Sequence, residues 1–262
     1  MTEIYFHPKY SEKFKELEEL TPVQEVVLKN FAEFEGRMRL PDLYGKTVRV
    51  NERQFPEIWQ VVKKVSDAAE ITPPKTFLYE DFYYGVEAKG FKTARLEISA
   101  KTVEDLQPKA LTFLIAREIC RIKWKMHVTA TAMEQIIAAA EDGNSFANII
   151  PGIGTISKGL QITFAAWSRL SHYTADNFGY LVIRDVEVCV RAILALILNN
   201  VKLAENINVK EYLKQMTDIY LMDDLVARFS QNDEIIPYGP LRVKNLLAFA
   251  TREDVINFKE VI

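Results

Sequence analysis

The stretch AREICRIKW, Ala116 to Trp124, is where the reading of this chain begins. Its periodicity is helical, and positions 117 and 121 of a helix lie about 40° apart around the axis, with 118 just beside them. Arg117, Glu118 and Arg121 therefore crowd one face. Leu114, Ile115, Ile119, Ile122 and Trp124 leave little of the rest polar, so the helix is expected to sit in a core with its charges held inside. A solvated charged face is the plainer alternative, because surface pairs at this spacing contribute only about 0.2–0.5 kcal/mol each.

Working outward, ARLEIS (Ala94 to Ser99) reads as a strand that enters the helix through a short turn. Further strand-like pieces are Thr76 to Tyr79 and Tyr83 to Val86, launched by Pro73-Pro74, with a short strand also expected at Thr47 to Val50. Helices are expected at Thr21–Arg37, where Thr21, Pro22 and Gln24 suggest a capping box, and at Gln54–Ala69. From Val103 onward nearly everything reads as helix: Pro108–His127, Thr129–Glu141, Gly159–Leu170, Thr174–Val201, Val209–Leu225, Leu241–Ala250, and a last turn capped by Thr251. The expected class is α+β, mostly α-helical, as one domain spanning 1–262, with N-terminal helices (10–37) and C-terminal helices (209–262) packed on its centre.

The chain has 262 residues, 48% of them hydrophobic, ample for a sizeable core. Thirty-three basic against 36 acidic residues give a net charge of −3, and no basic stripe emerges, so no nucleic-acid partner is expected. The N-terminus lacks the apolar run of a signal peptide, and two cysteines cannot make a disulfide framework; a cytoplasmic protein is expected. Phe146 to Trp167 is the longest apolar stretch, but Pro151, three glycines and Lys158 interrupt it, so it reads as buried helix and loop with no transmembrane span. Glycines and a lysine at Pro151–Gly159 lack phosphate-loop spacing and read as a connection between helices. The aromatics Tyr79, Phe82, Tyr83 and Tyr84 fit strand packing or the wall of a peptide groove equally well.

Arg117-Glu118-Ile119-Cys120-Arg121 has the frame of the metallopeptidase motif His-Glu-x-x-His, with arginine at both metal-binding positions. Some fifty residues later, Trp167 precedes His172, Ala175, Asp176 and Gly179. The two together resemble the HtpX-like and CAAX-prenyl-protease-like zinc metallopeptidases, most strongly over 48–200. There a tryptophan precedes Glu-x-x-Ala-Asp-Arg-x-Gly, the glutamate being the third zinc ligand and the aspartate a support for a metal-binding histidine. The resemblance implies a zincin-like (gluzincin) fold with a small sheet before the metal helix. It places Glu118 as vestigial general base, Arg117, Arg121 and His172 at degenerate metal positions, and Asp176 as their support. Asn177 stands where the family has arginine, and Gly239-Pro240 where many relatives carry His-Pro.

Zinc is the family's cofactor, but catalytic zinc needs three protein donors and a guanidinium has no lone pair to give, so no cofactor is expected. His127, six residues past Arg121, is expected to face away from the site, and Cys120 to pack against a neighbouring helix; a Cys120–His172 nucleophile is the weaker reading. Two guanidiniums supply the charge that the metal would have supplied, so Arg117 or Arg121 is expected to meet Glu118 or Asp176. Two functional classes remain. One is a pseudo-peptidase that binds a peptide or protein partner at the sheet edge near Arg95 to Ile98. The other is an active hydrolase with an atypical metal site, Glu118 as base and His172 as ligand or transition-state donor. Peripheral contact with a membrane, common in the family, is a further expectation.

Overall fold

The computed structural model describes residues 4–20, 40–90, 93–130, 158–222 and 234–258. It is mostly helical, with a small mixed sheet. Helix α1 (Tyr10–Leu20) and α2 (Leu40–Lys46) precede β1 (Val48–Val50), and α3 (Pro56–Ala68) leads to β2 (Lys75–Tyr79), β3 (Val86–Lys89) and β4 (Arg95–Ser99). Then come α4 (Ala100–Asp105), α5 (Pro108–Lys123), α6 (Lys158–Ile183), α7 (Val186–Leu198), α8 (Val201–Glu205), α9 (Val209–Leu221), α10 (Gly239–Ala250) and α11 (Glu253–Ile256).

The sheet order is β1-β2-β4-β3, with β2 and β4 parallel and the outer pairs antiparallel. Strand β4 is thus interior, flanked on both sides, and its Arg95 to Ile98 stretch is not the edge that the sequence suggested. The edges are β1 and β3, and β3 lies there because β4, which follows it in the chain, pairs with it on one side and with β2 on the other. Gly90 follows β3 at φ 92°, where a Cβ would strike the Thr93 carbonyl oxygen. The strand itself begins at Val86, three residues later than Tyr83.

Pro108 at the first position of α5 stops the helix from extending backwards, and Lys125 at φ 54° ends it after Lys123, short of His127. Helix α6 runs unbroken through 171–173, where the sequence suggested a join. The break falls at Arg184, at φ 50°, and Asp185 caps α7 by accepting from the Val188 amide at 3.2 Å. Asn199 in turn ends α7 in a left-handed conformation, and Asn200 caps α8. The last helix is capped at Arg252, without a side-chain hydrogen bond, and not at Thr251. The helix expected at 21–37, all of the helix expected at 129–141 beyond Ala130, residues 151–157 of the connection expected at 151–159 and residues 223–225 of the helix expected at 209–225 lie outside the described residues.

Helices α5 and α6 form the most extensive helix pair, and α6 also carries α1 and α10. Leu96 and Ile98 of β4, Phe113, Leu114 and Ile119 of α5, Phe178 of α6, Ile193 of α7 and Leu246 of α10 share one core. A second cluster gathers Tyr10, Leu17, Met126, Phe164 and a wholly buried Trp167. Trp167 therefore fixes α1 against α6 rather than lining the cleft. No helix among the described residues is long and apolar enough to cross a membrane.

Candidate functional site

Helix α5 turns Arg117 and Glu118 inward, where both are buried. Opposite them α6 contributes His172 and Asp176, one helical turn apart, and α10 contributes Arg242. Gly179 lets the two long helices approach: a Cβ there would lie 2.6 Å from Phe113 Cδ2 and 3.1 Å from Arg117 Cγ. The glycine of the second motif is thus a packing device that sets where Arg117 stands.

Asp176 is the hub. Arg117 Nε donates to its Oδ1 at 2.5 Å, while Arg242 donates from Nε to Oδ2 at 2.6 Å and from Nη2 to Oδ1 at 2.8 Å. The side chains are 5%, 0% and 6% exposed for Arg117, Asp176 and Arg242. Burial by itself would raise the Asp176 pKa, but the two guanidiniums outweigh it and hold the carboxyl below its usual range. Burial works against Arg242 too, and the two-pronged bond to Asp176 more than offsets it, so its pKa is raised. Arg117 goes the other way: burial and the nearby Arg242 lower it despite Asp176. One carboxylate thus holds two buried arginines, and Arg242 has the larger share.

Glu118 is the second anion. Its Oε2 accepts from the Ala88 amide of β3 at 3.0 Å, and its oxygens stand 3.9 Å from Arg117 Nη1 and 3.8 Å from Arg121 Nε, beyond hydrogen-bond reach. Arg121, 14% exposed in its side chain, keeps a buried Nε with no hydrogen-bond partner among the described residues. His172 Nδ1 lies 3.4 Å from Arg117 Nη2. A guanidinium can only donate, so Nδ1 is the acceptor and the imidazole proton sits on Nε2. Burial, then Arg121, Arg242 and Arg117, push the His172 pKa well below the ordinary value, so the ring is neutral.

These groups border a cavity of about 450 Å³ that Tyr84 to Lys89, running into the β3 edge, also line. His127 borders it as well, with Nδ1 3.2 Å from the Arg121 carbonyl oxygen. The expectation that it faces elsewhere assumed a helix continuing at 100° per residue, and the left-handed turn at Lys125 redirects it. Cys120 is wholly buried, and burial raises its thiol pKa, which removes it as a nucleophile at neutral pH.

Arg117, Glu118, Arg121, His172 and Asp176 are thus brought together as the sequence suggested. Arg242 was missed. The signal was present, because Arg242, Leu246 and Phe249 occupy one stripe of α10 at positions i, i+4 and i+7, with arginine in an otherwise apolar row.

The zinc that the resemblance implies does not fit this donor set. Arg117 and Arg121 have no lone pair to offer, Asp176 has both oxygens engaged by guanidiniums, and His172 is the remaining ligand-type group at the matched positions. Three guanidiniums within a few ångströms would also repel a dication. Comparison with known protein families, curated proteins and solved structures yields no match.

Proposed function

We propose that this chain is a pseudo-peptidase: a non-catalytic relative of the zinc metallopeptidases whose cleft receives an extended peptide or protein segment. The observation that carries this reading is the buried Arg117–Asp176–Arg242 cluster. It occupies the positions at which the resemblance puts a metal ligand and its supporting aspartate. Breaking such a cluster to admit a metal would leave at least one buried guanidinium unpaired, which costs about 3–5 kcal/mol. Glu118, the residue in the place of the general base, is tied to the Ala88 amide, which leaves it less free to activate a water.

The β3 edge supports a peptide as occupant. In an antiparallel pair, alternate residues direct N–H and C=O away from the partner strand. Ala88 points its amide at Glu118 and Tyr84 sends its own to Asn199 at 2.9 Å, so Val86 between them directs its backbone groups outward along the same edge. Backbone pairing at an open edge is the usual way a cleft holds an extended segment.

Metal analysis and a peptidase assay on protein purified without chelators test the reading. Less than about 0.1 equivalent of zinc with no cleavage of casein or a pooled peptide substrate is expected, since one imidazole is too few donors. Stoichiometric zinc, or cleavage abolished by Glu118→Gln, would establish the active hydrolase instead.

A further inference from the structure

Arg117, Arg121 and Arg242 have Glu118 and Asp176 as their carboxylates, while Lys89 and Glu87, which also line the cavity, pair with each other, so among the described residues one positive charge of this group has no counterpart. It is localised. Arg242 and the Nε of Arg117 are consumed by Asp176, whereas Arg121 Nε makes no hydrogen bond among the described residues and Arg117 Nη1 stands 3.9 Å from Glu118. His172 adds a ring whose Nε2 carries a proton, as Arg117 dictates. The unsatisfied donors of the cavity thus come from α5 and α6. Buried donors without acceptors are unfavourable, and an oxyanion satisfies several at once.

Resting on the reading of the cleft as a peptide groove, we propose that Arg121, with Arg117 and His172, forms a receptor for a carboxylate carried by the bound peptide, while Val86 of β3 pairs with its backbone. A planar guanidinium presents paired N–H donors at the spacing of carboxylate oxygens. The β3 edge lining the same cavity selects a peptide over a free phosphate compound, which has no backbone to pair. Both terminal and side-chain carboxylates have this chemistry, and the test separates them.

The test uses the full chain and four probes: acetylated hexapeptide pools of apolar sequence ending in a free carboxylate, in a carboxamide, or in a carboxamide with an internal glutamate, and inorganic phosphate. Binding is followed by calorimetry and by the NMR signal of the Arg121 Nε–H. A carboxylate-bearing pool is expected to bind about tenfold more tightly than the plain carboxamide pool and to shift that signal. Preference for the free terminus identifies a C-terminal receptor, and preference for internal glutamate an acidic-segment receptor. Arg121→Gln should erase the preference and Arg121→Lys retain part of it, with unchanged circular dichroism showing that both fold. Equal binding of all peptide pools overturns the carboxylate receptor and leaves the peptide cleft standing. Binding of phosphate alone, or of no probe, overturns both.

Discussion

Arg242 grips Asp176 through two hydrogen bonds, Nε to Oδ2 at 2.6 Å and Nη2 to Oδ1 at 2.8 Å, although 66 residues separate them in the chain. With Arg117 on the same carboxylate, the bond ties α10 and α5 to one residue of α6. Asp176→Asn keeps the shape and removes the charge, which leaves two buried guanidiniums facing a neutral amide. The expected loss is about 3–5 kcal/mol of unfolding free energy. Urea unfolding at pH 7 measures it, and a loss below about 1 kcal/mol would mean that water or another anion satisfies the arginines.

Arg121 should behave in the opposite way. Among the described residues its buried Nε makes no hydrogen bond and its nearest carboxylate is 3.8 Å off, so its charge contributes little to set against its desolvation. Arg121→Met is therefore expected within about 1 kcal/mol of the parent or more stable, whereas Arg117→Met should lose about 3 kcal/mol. Parallel urea curves of the two variants make the comparison. Equal losses would show that Arg121 is structural, not held in reserve for a ligand.

That contrast also marks what the sequence conveyed. Arg117 and Asp176 were legible because each belongs to a motif with fixed spacing. That Arg117 or Arg121 would meet Glu118 or Asp176 followed from charge balance in a buried helix; that the pair is Arg117 with Asp176 did not. Arg242 was less visible, because no spacing links α10 to the other two helices; only its place in an apolar stripe signals burial. His127 and the α6–α7 break were misplaced for one shared reason. Single residues in left-handed conformation, Lys125 and Arg184, reset the helical phase, and neither is a glycine that would have announced it. The interior position of β4 depends on strand order, which hydrophobic pattern does not encode.

Gly179→Ala tests how closely α5 and α6 must approach. The new methyl would lie 2.6 Å and 2.8 Å from Phe113 ring carbons and 3.1 Å from Arg117 Cγ, all inside normal contact. The greater helix propensity of alanine, worth about 1 kcal/mol, is outweighed by overpacking, for a net loss of about 1–3 kcal/mol. Pairing it with Asp176→Asn shows whether the effect runs through Arg117. A coupled loss, smaller than the sum of the two, is expected because the methyl displaces the same guanidinium that Asp176 holds.

Stability should fall as the solution is acidified through the histidine range. The His172 pKa is depressed well below 6.5 by burial and by Arg121, Arg242 and Arg117; burial also depresses His7 and His127. The unfolded chain then binds protons that the native chain refuses. Above about pH 6.5 the two states carry the same charge at these rings and the term vanishes; below it, unfolding takes up protons and stability declines. The slope approaches about 1.4 kcal/mol per pH unit for each ring fully within its window. Asp176 has its pKa lowered, so its contribution is present at neutral pH and disappears only at much lower pH, below the ordinary carboxyl range. Unfolding free energies from pH 8 to pH 5 should therefore bend downward near pH 6.5. His172→Gln, which cannot take up a proton, should remove the contribution of one proton from the slope. An unchanged slope in that variant would place the pH sensitivity at His7 and His127 and would show that the imidazole among the three arginines accepts a proton as readily in the native protein as in the unfolded chain.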